Sequence, residues 1–221
     1  MEPVAAPRIK ICCMQSVDEA WVAIRAGASA LGFVAHMPSG PGIISEELIA
    51  EIVRRVPPRI ATFLLTCRRD VDGIEAQQRQ TGANTLQLCD RLEPGTHRKL
   101  RARLPGVAIV QVIHVVGEES RTEAVDLAPK VDAILLDTGN LRSEVRELGG
   151  TGRLHDWKIS ARIRAAVPVP VFLAGGLRPE NVTDAIHAVR PFAVDVCSGL
   201  RPNGALDEER LRAFCGAVAA A

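Results

Sequence analysis

Eight short apolar runs recur along the chain: RIKICCM, ALGFVAH, RIATFLLT, TLQLCD, VAIVQVIHV, AILLDT, VFLAGGL and AVDVCSG. They are rich in β-branched residues and mostly continuous, the pattern of strands buried on both faces in a parallel sheet. Helix punctuation falls between them. Ser16 precedes VDEAWVAIRAG, with Gly27 at its end, and Ser45 precedes EELIAEIVRRV, with Pro57 beyond it. Eight strand-helix units in 221 residues fit a compact α/β fold, the (β/α)8 TIM barrel. An open doubly wound sheet needs the same alternation. The barrel is preferred because the number of units matches and because polar, glycine-rich turns cluster after the strands. Residues 1–7 read as a disordered lead and residues 8–221 as one barrel domain, since no linker, low-complexity tract or charge block divides them.

Hydrophobic residues make up 47% of the chain and charged residues 24%, the balance of an ordinary globular protein. Lysine and arginine number 27 against 26 acidic residues, so no overall field attracts a duplex or an anionic membrane. Aromatics, at 3%, are too few for base stacking. No apolar run approaches the roughly 18 to 20 residues that cross a bilayer, and MEPVAAPRIK lacks the pattern of a signal peptide. A cytoplasmic protein without nucleic-acid or membrane partners is expected. The six cysteines show no CxxC spacing and no histidine pair at metal-ligand spacing, so neither a metal site nor a disulfide framework is expected. Most of them read as reduced thiols, with burial as the default for each.

In a barrel the loops leaving the strand C-termini build the site, so residues distant in sequence converge on one rim. Cys12, ending the first run, and Asp137, ending the sixth, would both sit there. A carboxylate at such a mouth suits proton donation, with a helix cap or loop hydrogen bond as the alternative; Cys12 reads equally as a packed apolar thiol. The loop from Gly139 to Trp157 is long and carries Gly149, Gly150 and Gly152, which suggests a ligand-clasping lid or a plain surface loop. LAGGLRPENV, with Gly175 and Gly176 and a helix expected to begin at about Pro179, is followed by DVCSGL, with Ser198 and Gly199. As the last two strand-to-helix turns they point to a phosphate cradle.

The ordered set KIC (Lys10 to Cys12), GASALGFV (27–34), LQL (86–88), DAILLDT (132–138), GGTG followed by HDW (149–157), LAGGLRPENV (173–182) and VDVCSG with a later Asp207 resembles the phosphoribosylanthranilate isomerase family. That resemblance implies a barrel enzyme performing an Amadori rearrangement of an N-phosphoribosyl arylamine, as a monomer or homodimer, without metal or other cofactor. It implies Asp137 as the general acid that opens the ribose ring and Cys12 as the general base at C2. It also implies phosphate binding by Gly150, Gly152, Gly175, Gly176, Ser198 and Gly199, and substrate contacts from Lys10, Asp195 and Arg153. The chain departs from the family in places. Gly42 lies about where the family has the arginine that pairs with the anthranilate carboxylate, with Arg153, Arg201 and His36 as candidate substitutes. Cys13 replaces a usual glycine, Cys89 a usual histidine and Leu206 a usual lysine. Strand alternation would turn Cys13 away from Cys12, as a packing residue, with an oxidised pair as the lesser alternative.

Overall fold

The computed structural model describes residues 6–38, 40–139, 148 and 152–221. Eight parallel strands close into a barrel in sequence order, β1 (Arg8–Ile11), β2 (Ala30–Val34), β3 (Ala61–Thr66), β4 (Thr85–Leu88), β5 (Ala108–His114), β6 (Ala133–Asp137), β7 (Val171–Leu173) and β8 (Ala193–Val196). Each run singled out in the sequence supplies one strand. The helices that cover them are α1 (Val17–Arg25), α2 (Glu46–Val53), α3 (Val71–Thr81), α4 (Thr96–Arg103), α5 (Glu119–Leu127), α6 (Trp157–Ala166), α7 (Val182–Val189) and α8 (Glu208–Ala219).

The continuous apolar runs divide by alternation into two cores. Outward-facing residues such as Ile11, Leu31, Leu64, Leu86, Ile134 and Val194 pack under the helices. Inward-facing residues such as Phe63, Leu65, Val110, Val112, Leu135 and Phe172 fill the barrel. Parallel strands with both faces covered therefore need apolar residues at every position, which is why the runs do not alternate in polarity. The barrel closes between β1 and β8, where Lys10 pairs in register with Asp195.

Local signals fix the helix starts. Ser16 accepts from the Glu19 N–H at 3.1 Å and Ser45 from the Leu48 N–H at 3.2 Å, each satisfying a donor that the first helical turn leaves unpaired. α1 stops at Arg25, ahead of Gly27 with φ +109°. α2 stops at Val53, a turn before Pro57. α7 begins at Val182 rather than at Pro179, because Asn181 folds back and donates through Nδ2 to the Gly176 carbonyl, holding residues 179–181 in a turn. Among the described residues no helix is long and apolar enough to cross a membrane.

Leu64, fully buried between β3 and the helices, tests the outer core. Leu64→Ala should lower the unfolding free energy by about 2–5 kcal/mol, seen as a lower urea midpoint with an unchanged slope. A loss under about 1 kcal/mol would contradict this packing.

Candidate active site

Lys10 on β1 and Cys12 just beyond its end lead to the site. Lys10 is completely buried, and its Nζ lies 2.8 Å from Asp195 Oδ2 and 5.1 Å from the Phe63 ring centre. Cys12 follows on the same face. Gly32 on the neighbouring strand makes room for both: a Cβ there would lie 2.6 Å from Cys12 Sγ and 3.0 Å from Lys10 Nζ. Burial pushes the Cys12 thiol up to about 11, while the Lys10 ammonium pulls it down. Burial penalises the Lys10 ammonium, but the adjoining Asp195 and Cys12 outweigh it and leave Lys10 above its usual range, which keeps it cationic.

Cys13 differs from its sequence reading. β1 ends at Ile11, so alternation no longer governs the chain, and Cys13 takes a left-handed conformation with φ +63°. It lines the same cavity as Cys12 instead of facing away, and it is joined by a disulfide to Cys197, with the two Cα atoms 6.1 Å apart. The expectation of unpaired thiols at these two positions is thereby corrected. No CxxC spacing announces the bridge, since its partners lie 184 residues apart and meet only when the barrel closes. Gly42 packs on this bridge: it has φ +78°, and a Cβ on it would lie 2.5 Å from Cys13 Cβ.

Asp137 ends β6 half-buried, and its Oδ1 accepts from the Thr138 N–H at 2.7 Å. Thr138 Oγ1 donates to the Arg153 carbonyl at 2.8 Å and lies 3.2 Å from His155 Nδ1, while His155 Nε2 meets Ser160 Oγ at 2.7 Å. Burial lowers the His155 pKa to about 4, so the ring is neutral and serves as a strut between the loop and α6. Gly175 is required beside it. With φ +81°, its Cβ would collide with Thr138 Oγ1 and lie 3.0 Å from His155 Nδ1 and 3.3 Å from Asp137 Oδ1.

An open cavity occupies the C-terminal end of the barrel. Cys12, Asp137, Asp195, Gly152, Gly175, Gly176 and Ser198 all line it. Gly199 stands just behind, where any Cβ would strike the Leu177 carbonyl, so its role is close backbone approach. The N–H groups of Gly175 and Gly176 donate to no backbone acceptor among the described residues. The N-terminus of α7 is not part of the lining, which on this side is the turn of Gly175, Gly176 and Leu177 rather than a helix beginning at Pro179. Gly150 and Gly149 lie outside the described residues, as does most of the lid reading for that loop.

The remaining sequence candidates sit differently. Lys10 lies behind the wall, in contact with Asp195. Arg153 is exposed and does not line the cavity; its backbone, not its side chain, packs against Gly176. Arg201 is buried in a two-point pairing with Glu19 at 3.0 and 2.8 Å, and His36 lies in a separate surface depression. Among the described lining residues there is no lysine, arginine or histidine. Gln87 was quoted in a motif without a role. It lines the cavity, and its Oε1, like Asp195 Oδ1, is buried without a hydrogen-bond donor. Two such acceptors call for a ligand that brings donors. A long amide between two leucines of a buried strand is the signal that marks Gln87.

The family model for N-(5'phosphoribosyl)anthranilate (PRA) isomerase matches residues 9–217. The N-(5'-phosphoribosyl)anthranilate isomerase of Haloferax volcanii is 37% identical over 212 residues, 95% of this chain and 92% of that protein. The crystal structure of phosphoribosyl anthranilate isomerase from Thermotoga maritima superposes with a TM-score of 0.84 at 29% identity, covering 97% of this chain and all of that one. A phosphoribosyl anthranilate isomerase in complex with reduced 1-(o-carboxyphenylamino)-1-deoxyribulose 5-phosphate gives 0.81 at 27% identity, with the same coverage. With a matching model across nearly its whole length and a barrel of the same form, the chain belongs to the N-(5'-phosphoribosyl)anthranilate isomerase family.

Proposed function

We propose that the protein isomerises N-(5'-phosphoribosyl)anthranilate to 1-(2-carboxyphenylamino)-1-deoxyribulose 5-phosphate. The observation that carries this reading is that Cys12, directly after β1, and Asp137, at the end of β6, line one cavity together with the Gly175–Gly176 turn and Ser198. The turn amides and Ser198 suit the phosphate, with Gly150, Gly152 and Gly199 completing the cradle. Asp195 Oδ1 and Gln87 Oε1 suit the sugar hydroxyls.

In this reading Asp137 gives its proton to the ribose ring oxygen as the C1–O bond breaks, and the nitrogen lone pair forms a protonated Schiff base. Cys12, as thiolate, removes the C2 proton, and the C–H electron pair moves to the C1–C2 bond while the C=N pair returns to nitrogen. The resulting enolamine then takes a proton at C1 while its C2 hydroxyl gives one up, and C2 becomes the ketone. With the thiol pushed up to about 11 by burial, little thiolate is present near neutral pH. The cationic Schiff base changes this, because a positive charge beside Cys12 joins Lys10 in favouring the thiolate. Ring opening thus prepares the base for the step that follows. We further infer a cytoplasmic setting and a monomer or homodimer; a Thermotoga maritima relative is described as dimeric.

One observation favours a second reading of the amine. Val34, Met37, Pro41, Leu65 and Cys89 give the cavity an apolar lining, and Gly42 is pressed on Cys13 where the family's arginine would stand. A neutral phosphoribosyl arylamine suits such a lining. N-phosphoribosyl aniline turned over at least as well as the anthranilate compound would favour this second reading, whereas a preference of about tenfold or more for the anthranilate compound supports the first.

Asp137→Asn should reduce turnover by at least about 100-fold while changing the Kd for ribose 5-phosphate less than about threefold. Comparable loss of both would make the carboxylate structural. For Cys12, kcat/KM should rise with pH between 6 and 9, because a raised pKa leaves the base increasingly populated toward alkaline pH. Lys10→Met should move that rise further alkaline, as it removes the cation that favours the thiolate; an unmoved profile would reject the coupling. Gly42→Arg alone should lower the Tm and gain no activity, since Cys13 Cβ occupies the space of the new Cβ. A stable, more active single variant would show that the loop shifts freely.

A further inference from the structure

The Cys13–Cys197 bridge joins two points of unusual consequence. Cys13 directly follows Cys12, and Cys197 directly precedes Ser198 and Gly199. Three strand-to-helix loops meet there, because Gly42 of the second packs on Cys13. Both bridged residues line the cavity, and Cys197 is only half-buried, so the cavity is the side from which a thiol reaches the bridge.

The backbone at the bridge is not at rest in its preferred form. A non-glycine residue at φ +63° costs about 1–2 kcal/mol, and such a conformation persists only where its surroundings impose it. Flanking backbone bonds hold the first loop at Cys12 N to Val196 O, 2.9 Å, and at Met14 N to Gly32 O, 3.0 Å, but Cys13 itself is tied to the eighth loop through sulfur. In a reducing compartment a bridge of this kind is characteristically transient and redox-sensing rather than a permanent staple.

We propose that Cys13–Cys197 is a thiol–disulfide exchange site whose oxidised form holds the phosphate turn in its binding shape and whose reduced form releases it. The modifying partner is a dithiol reductant. One of its thiolates attacks Cys197 Sγ, the S–S bond breaks, and Cys13 leaves as a thiolate that takes up a proton. The reductant's second thiol then displaces Cys197 and leaves as an oxidised disulfide, so two electrons and two protons pass to the protein. A small disulfide such as oxidised glutathione reverses the exchange by the same steps. The reducing setting, the phosphate role of the turn and the identity of the sugar phosphate rest on the function proposed above.

The test compares one preparation in two states, oxidised with glutathione disulfide or reduced with dithiothreitol, and then freed of reagent without air. Thiol titration after unfolding should give four free thiols in the first state, matching Cys12, Cys67, Cys89 and Cys215, and all six in the second. Calorimetry with ribose 5-phosphate should show the Kd weakening about tenfold on reduction. Cys197→Ser, which loses the bridge but keeps the strained residue, should bind as weakly as the reduced protein and ignore reductant. Cys13→Gly, which loses the bridge but accepts φ +63° without cost, should bind as the oxidised protein does and ignore reductant too. Six free thiols after oxidation, or an equal Kd in the two states, overturns the proposal. A shift in ribose 5-phosphate affinity in protein that does not turn over phosphoribosylanthranilate leaves the bridge standing and removes the isomerase reading; turnover with a redox-independent Kd does the reverse.

Discussion

A lysine buried without exposure in the barrel interior is tolerated only because Asp195 meets it across the β1–β8 closure at 2.8 Å. Removing either partner would leave an uncompensated charge in a low-dielectric interior, a cost of about 3–5 kcal/mol. As a source of stability such a pair is poor, since apolar residues fill barrels more cheaply. Its value lies in what it charges. Lys10 is in contact with both Asp195 and Cys12, so the strand pairing that closes the barrel also sets the electrostatics of the thiol.

The rest of the site follows from how closely main chain must approach these groups. Gly32 leaves room for Cys12 and Lys10, Gly175 for Thr138 and His155, and Gly199 for the Leu177 carbonyl. Each is a place where a single carbon atom would push a functional group out of line. The neutral His155 completes the support by linking Thr138 beside Asp137 to the buried Ser160 of α6. Chemistry at the rim thus depends on rigid elements behind it, as a preorganised site requires.

Much of this was legible in one dimension. The eight apolar runs each became a strand because an interior closed on both faces demands continuous burial, a local property of sequence. Ser16 and Ser45 cap helices for equally local reasons. Cys12 and Asp137 could be placed on a common rim because barrel topology converts the end of any strand into the same face. Reading failed where a non-local partner decided the outcome. Pro179 lost the helix start to Asn181 reaching back to Gly176. Arg201, a candidate for the missing cation, is committed to Glu19, 182 residues away.

Sequence by itself determined the alternation of strands and helices, the count of eight and the residue types at the ends of the strands, since propensity, capping and burial period act over a few residues. Tertiary structure alone decided that Lys10 faces Asp195 and that Cys13 reverses its direction to meet Cys197. It also decided that Gly42 has no room for a side chain and that Gln87 and Asp195 present buried acceptors to one cavity. These are contacts between segments distant in the chain, two of which, Lys10 with Asp195 and Cys13 with Cys197, meet only when the eighth strand pairs with the first, and such meetings leave no trace in local sequence pattern.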